Sequence, residues 1–389
     1  MKIPLVLFLL IAFATGPAYG QTLINPGDSV QVQCSICPAC PVCPPERLTE
    51  IKIVDRLGSG DYTTIRQATD ASQPGWMILV KNGTYNTNLS ISTSGTPVQP
   101  ITLMPYPGHN PVIDFSTNAG STARIKLEAE WWIIEGFEIT GSKGSNGIDI
   151  RKGNNTIRNN YIHDNAYSGI EVQSVSGATT ADIVNTVIEN NVIEHNGIGT
   201  GKCLYNSVES PKMCHGVYFS THKFCTHGIN NGSVKNNEIR NHGGAGIQLN
   251  GNSCGTTGKI QSLVLEGNRI EGNAWGIAFW HNAESNTVKD NTFRIHSWPV
   301  ETDNDKFYMV RVNNSPSNAF TGNVFYSRNP NVWPLKTDTV GDNSNAFNNN
   351  LWKVTTNIWY WQDVQRSDWM NYKSVTGWGP NSDICITCN

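Results

Sequence analysis

Charge is scarce in this chain. Of 389 residues only 15% are charged, the net charge is −3, and no run of basic residues occurs. That excludes an electrostatic grip on nucleic acid or on an anionic membrane as the main activity. Long apolar stretches are also missing after residue 14, and none approaches the roughly 20 residues of a membrane span. No cysteine stands near residues 18–21 to carry a lipid.

The first twenty residues follow a familiar layout: Lys2, an apolar run from Ile3 to Ala14, then Ala18-Tyr19-Gly20. Residues 1–20 are therefore expected to be a cleavable secretory signal, with the product soluble and secreted or periplasmic. No membrane or nucleic-acid partner is expected, and the chain is expected to act as a monomer. The ten cysteines fit export, where an even count most often means disulfides. Four of them lie in "CSICPACPVCPP" within residues 21–50, where the prolines exclude helix and central strand. That segment reads as a disulfide-knotted linker or cap in preference to a metal or iron–sulfur site. Cys385 and Cys388 end the chain.

What is abundant is asparagine and glycine, arranged in a repeat. "IRNNYI" (157–162), "IENNVI" (188–193), "VKNNEI" (234–239), "LEGNRI" (265–270), "VKDNTF" (288–293) and "FTGNVF" (320–325) share one pattern, and "IIEGFEI" (133–139) fits with Phe137 in place of the second asparagine. From Phe137 the repeated position falls at Asn160, Asn191, Asn237, Asn268, Asn291 and Asn323, at intervals of 23, 31, 46, 31, 23 and 32. The shortest interval measures a bare coil and the excess measures loops, the longest of which precede Asn237. Gly-apolar segments accompany the copies: "GIDIR", "GIEVQ", "GVYFS", "GIQLN" and "GIAFW". Their alternation is that of a strand with one buried face. Short strands, turn-forming Asn and Gly, and a recurring coil predict a parallel β-solenoid whose asparagines stack in a ladder. "DYTTIRQATDAS" (61–72) predicts a short N-terminal capping helix, and the repeat is expected to give way near residue 328 to a Trp-rich closure with Trp352, Trp359, Trp361, Trp369 and Trp378. The domains are thus a signal (1–20), a Cys/Pro-rich segment (21–50) and the solenoid (51–389).

The entry stretch "YTTIRQATDASQPGWMILVKNGTYN", the following "SGTPVQPITLMPYPGHNPVIDFS" and the asparagine repeats resemble secreted right-handed parallel β-helix proteins of the pectate-lyase-like superfamily. The likeness covers about residues 55–380, and its start is especially similar to alginate lyases and chondroitinase-B-like lyases. The resemblance implies a right-handed parallel β-helix and cleavage of acidic polysaccharide by β-elimination, often with calcium. The "NxE" and "KSxxN" signatures of those lyases are absent, so their catalytic lysine and calcium carboxylates do not transfer. "CHGVYFS" is similar to the "GHG" of polygalacturonases, but no paired "DD" or "NTD" precedes it.

Strand parity places Ile148, Ile170, Val217, Ile247 and Ile277 inside. The first outward column is then Asp149, Glu171, Tyr218, Gln248 and Ala278, and the second Arg151, Gln173, Ser220, Asn250 and Trp280. Asp149 and Glu171, like charges on neighbouring strands, need compensation by Ca²⁺, by Arg151, or by a raised pKa in a catalytic pair. β-Elimination needs a base, an acid and a group to neutralise the uronate. His215 or Lys223 is the candidate base, Tyr218 the acid, and Arg151 or calcium the neutraliser. Gln173, Gln248, Asn250, Trp280 and His281 are the candidate sugar contacts. Zinc bound by His215, His222 and His227 is the less favoured use of those histidines. Cys225 and Cys254 hold similar places on adjacent coils and are expected to pair, leaving Cys203 to Cys214. The leading expectation is a polysaccharide lyase. The alternatives are a β-helix glycoside hydrolase built on Asp149 and Glu171, and a noncatalytic glycan-binding surface protein.

Overall fold

The computed structural model describes residues 49–389 apart from 119–121, 176–180, 198–203, 206–207, 210–213, 222–226, 252–256, 296–306, 339–343, 356–358, 362–363, 367–381 and 387–389. Lys223, Cys203, Cys225 and Cys254, with the Cys34–Cys43 cluster, lie outside the described residues, as do Trp369 and Trp378.

Each copy of the repeat is one corner of a coil. In "IRNNYI" Ile157 points inward, Asn159 takes φ 56°, and Asn160 is buried. The same left-handed position is held by Asn190, Asn236, Gly267, Asp290 and Gly322. Only glycine and the short polar residues adopt it at little cost, which is why the first repeated residue is Asn, Gly or Asp. The second repeated residue builds the ladder. Asn191 Oδ1 accepts from the Asn160 backbone N–H at 3.0 Å, and Asn237 Oδ1 accepts from that of Asn191 at 2.9 Å. The ladder runs on through Asn268, Asn291, Asn323 and Asn350.

Between corners the strands stack in register into three sheets, each of eleven strands among the described residues, parallel except where Trp359–Trp361 pairs antiparallel with Val364–Arg366 at the end of the second sheet. The first sheet contains Thr156–Arg158, the second Ile170–Ser174 and the third Tyr161–His163. Their inward faces meet in one continuous core of Ile, Val, Leu and Phe, each such side chain contributing about 1.5–3 kcal/mol by burial. Helix α1 (Ile65–Asp70) covers the first coils, opened by a capping box between Thr64 and Gln67. The glycine of "GVYFS" sits where a Cβ would lie 2.4 Å from Ile239 Cγ2 and 2.6 Å from the Gly246 carbonyl, so no larger residue fits that corner.

Asn191 and Asn237 are direct ladder neighbours, so their 46-residue interval is a single coil with long loops, as its excess length implied. One expectation about organisation needs correction: the regular repeat does not give way near residue 328. "FNNNLW" (347–352) is a further copy of the repeat, with Asn349 at φ 54° and Asn350 in the ladder. Trp352 is fully buried where other copies carry Ile or Phe, stacked 3.9 Å from Phe325. It is a core residue of a regular coil, not part of a separate closure.

Candidate active site

The outer face of the second sheet carries the chemistry. Its register pairs Lys126 with Asp149, Asp149 with Glu171, Glu171 with Tyr218, Tyr218 with Gln248, Gln248 with Ala278 and Ala278 with Arg311. The neighbouring column places Gln173, Ser220, Asn250, Trp280 and Asn313 in line. A third column, which strand parity does not reveal, rims the face: His215 stands just before the strand Val217–Thr221, and Ala245, Trp275 and Tyr308 are paired across three further strands.

The rim is itself a ladder. Asn146 Oδ1 accepts from Ser168 N–H at 2.8 Å, Ser168 Oγ from His215 N–H at 3.1 Å, and His215 Nδ1 from Ala245 N–H at 2.9 Å. The first bond orients the Asn146 amide, so its nitrogen must point outward. There it donates to Asp149 Oδ1 at 2.6 Å and to Glu171 Oε2 at 2.5 Å. Two oxygens on one nitrogen can be no further apart than about 5 Å.

The two carboxylates have unlike surroundings. Asp149 is 3% exposed; Arg124 Nε lies against its Oδ2, and Arg151 is 3.7 Å away. Two guanidinium groups and an amide N–H thus face its carboxyl. Glu171 is half-buried and forms no ion pair with a cation among the described residues. Burial first, and the Asp149 charge second, push it up to about 8. At neutral pH the Glu171 side chain is therefore a carboxylic acid. Tyr218 is also raised, by burial and then by Glu171, while its hydroxyl accepts from Asn250 Nδ2 at 3.1 Å.

Several expected roles do not survive this geometry. His215 is fully buried, its Nδ1 is occupied by Ala245 N–H, and burial lowers it to about 3. It cannot serve as a base reaching substrate, and it supports the rim instead, with its ring 5.0 Å from that of Tyr218. Arg151 does not await a uronate: it bonds Glu128 at 3.2 Å besides facing Asp149. Nor does the pair form a calcium cage, because an amide nitrogen and two guanidinium groups, all donors, already face it. Of the three histidines of the zinc reading, His222 lies outside the described residues, and His215 is fully buried with Nδ1 accepting from Ala245 N–H. Gln173, Asn250 and Trp280 do border the face half-buried. Gln248 is 3% exposed with Oε1 unpartnered among the described residues, and His281 lies 6.3 Å from the Trp280 ring. Cys214 is disulfide-bonded, and the partner expected for it, Cys203, lies outside the described residues. Sequence reasoning missed Asn146 and Arg124. Asn146 precedes the strand glycine just as His215 does, and that shared offset was the available signal.

Comparison with known proteins agrees with the fold. A family model described as the Pel9A-like right-handed β-helix region matches residues 57–200. "Pectate lyase L" of Paenibacillus polymyxa is 25% identical over 319 residues, covering 73% of this chain and 67% of that protein. Among solved structures, pectate lyase Pel9A aligns at TM-score 0.51 with 17% identity, over 76% of this chain and 79% of Pel9A. The chain is a right-handed parallel β-helix protein, similar in sequence and fold to pectate-lyase-like proteins. The GH136 lacto-N-biosidase of Eubacterium ramulus shares the β-helix fold at TM-score 0.59 and 13% identity, over 87% of this chain and 68% of its own.

A second family model, the periplasmic copper-binding protein NosD, matches residues 138–309 of this β-helix protein. The buried histidines in that span do not fit a copper site. His242 stands in an asparagine ladder, with Nδ1 accepting from Asn196 N–H at 3.2 Å and Nε2 donating to the Ile193 carbonyl at 3.0 Å. Both its nitrogens thus do the work of an asparagine amide.

Proposed function

We propose that the protein is an exported carbohydrate-active enzyme that hydrolyses glycosidic bonds in a glycan laid along the outer face of the second sheet, with Glu171 as the proton donor. The observation that carries this reading is the division of the acid pair. Asp149 is clamped by Arg124 and Asn146, while Glu171, bonded to the same amide, is pushed up to about 8. Two carboxyl groups whose surroundings drive their protonation apart are the acid and the anion of a glycosidase.

In this mechanism Glu171 gives its proton to the glycosidic oxygen as the bond from the anomeric carbon breaks. The positive charge developing on the sugar faces the Asp149 carboxylate, which Arg124 and Arg151 flank. Water completes the cleavage and gives up a proton to the Glu171 carboxylate, restoring the acid. A separation of no more than about 5 Å lies on the side of retaining enzymes, at about 5–5.5 Å, and is shorter than the roughly 6.5–9.5 Å that inverting enzymes keep. Products of retained configuration are expected. His215 contributes by holding the rim, and Tyr218 by bordering the acid.

A second reading, β-elimination on a uronate-containing polysaccharide, draws support from the 25% identity with a pectate lyase. Glu171 would then protonate the leaving oxygen in the same way, with the base lying outside the described residues. Incubation with a panel of neutral and uronate polysaccharides separates the readings. New reducing ends without ultraviolet absorbance of an unsaturated uronate support hydrolysis, and reducing ends with that absorbance support elimination. Full activity in Glu171→Gln, or no cleavage of any substrate, sinks the proposal.

A further inference from the structure

The acid pair stands at one corner of a checkerboard of charge. Lys126 and Asp149 are register partners on the parallel strands Ile125–Leu127 and Ile148–Ile150, and Glu128 and Arg151 follow those strands at the next outward position. Each charge has its opposite beside it. Glu128 Oε2 lies 2.8 Å from Lys126 Nζ, and its Oε1 accepts from Arg151 Nη1 at 3.2 Å. The other terminal nitrogen of Arg151 stands 3.7 Å from Asp149 Oδ2, beyond hydrogen-bonding reach. Arg151 is thus bonded to Glu128 and only faces Asp149. Burial opposes the charge on Glu128, yet Lys126 and Arg151 hold its carboxyl below the usual value, so it stays charged across the range in which Glu171 titrates.

An arginine between two carboxylates is held by the one it bonds. Without the Glu128 bond the guanidinium is free to close the remaining gap to Asp149. That brings a cation nearer to Glu171, whose other charged and titratable neighbours are Asp149, Arg124 and Tyr218. We propose that Glu128 is a positioning residue of the acid pair, anchoring Arg151 so that its guanidinium flanks Asp149 without closing on it. The consequence falls on Glu171, because a nearer cation favours the charged form of a carboxyl and would strip the acid of its proton. Lys126 completes the anchor by bonding the other oxygen of Glu128, which fixes the carboxylate that Arg151 meets. The inference rests on the reading of Asp149 and Glu171 as the cleaving pair. It adds a residue whose own bonds go to Lys126 and Arg151, one step removed from the acids.

The test follows the Glu171 carboxyl carbon by NMR as pH is stepped, in the full-length protein and in Glu128→Gln, Arg151→Gln and the double variant. Glu128→Gln should lower the Glu171 midpoint by about one pH unit, and the alkaline limb of kcat/KM should move down with it. In the Arg151→Gln background the same substitution should move the midpoint less than half as far. Glu128→Asp, which keeps the charge on a shorter stem, should recover part of the loss. Melting curves confirm that each variant folds. A midpoint that stays or rises in Glu128→Gln, or that falls half as far or more in the Arg151→Gln background, overturns the positioning role. A midpoint that shifts as expected in a protein that cleaves no glycan instead overturns the catalytic reading and leaves the link from Glu128 through Arg151 to Glu171 standing.

Discussion

Asp149 and Glu171 are register partners on adjacent parallel strands, held by the two N–H bonds of one amide, that of Asn146. Like charges so placed repel, and the protein resolves the conflict by giving Asp149 the arginines and Glu171 the proton.

The alkaline limb of activity follows from that division. Glu171 is pushed from 4.5 to about 8, so it remains a competent acid below about pH 8, and kcat/KM should fall above it. Asp149→Asn removes the second cause of the shift and should move the limb down by a unit or more, while Asn146→Ala, which deletes a bond to the charged form, should move it up. Carboxyl titration of Glu171 followed by NMR in the three proteins checks both directions, since Asp149→Asn also removes the anion that cleavage uses.

Stability should respond to the same proton. A carboxyl whose folded pKa is raised binds more protons than its unfolded counterpart between the two values, so its contribution is fully present below about pH 4.5 and lost as pH rises to about 8. Glu171→Gln should flatten the fall in Tm across that window. Thermal melts at stepped pH measure it.

Histidine acts at the other end of the scale. His215 and His242 are lowered from 6.5 to about 3 and about 4, so each is neutral when folded and protonated sooner when unfolded. The stability this gives is present above pH 6.5 and is lost as pH falls towards those values. His242→Asn, which keeps the ladder's acceptor and donor, should weaken the acid sensitivity and preserve the fold. An unchanged acid-unfolding midpoint would contradict the assignment.

Removal of a central ladder residue should be severe. Asn237→Ala deprives the Asn191 backbone N–H of its acceptor and the Ile188 carbonyl of its donor. Each unsatisfied buried group costs about 1–3 kcal/mol, so urea unfolding should register a loss of roughly 3 kcal/mol or more. His215→Ala removes the acceptor of one backbone N–H and also the fully buried ring beside Tyr218, so it too should destabilise measurably.

Tyr218→Phe keeps the ring against His215 and removes the hydroxyl that Asn250 bonds. A loss of about ten- to hundredfold in kcat with little change in Tm is expected if the hydroxyl orients substrate or aids proton transfer. Steady-state kinetics beside a melting curve separates that from a packing role.

The coil and its columns were legible in the sequence because a solenoid makes its contacts at a nearly constant sequence interval. One apolar alternation and one asparagine spacing determined which residues lie beside which, including Glu171 beside Asp149 and Tyr218. The copy at Phe347 escaped notice because Trp352 replaced the expected aliphatic residue, although the asparagines were in place. Protonation states and partners were another matter. Arg124 reaches Asp149 from the preceding coil, and Asn146 turns outward only because Ser168 fixes its oxygen. His215 changed from a base to a rim support for a similar reason: burial and the Ala245 N–H decide its chemistry. The sequence by itself thus determined the solenoid and the order of residues along its face, because periodicity sets register. Only the tertiary structure decided which carboxyl keeps its proton, because charge is set by burial and by side chains arriving from neighbouring coils.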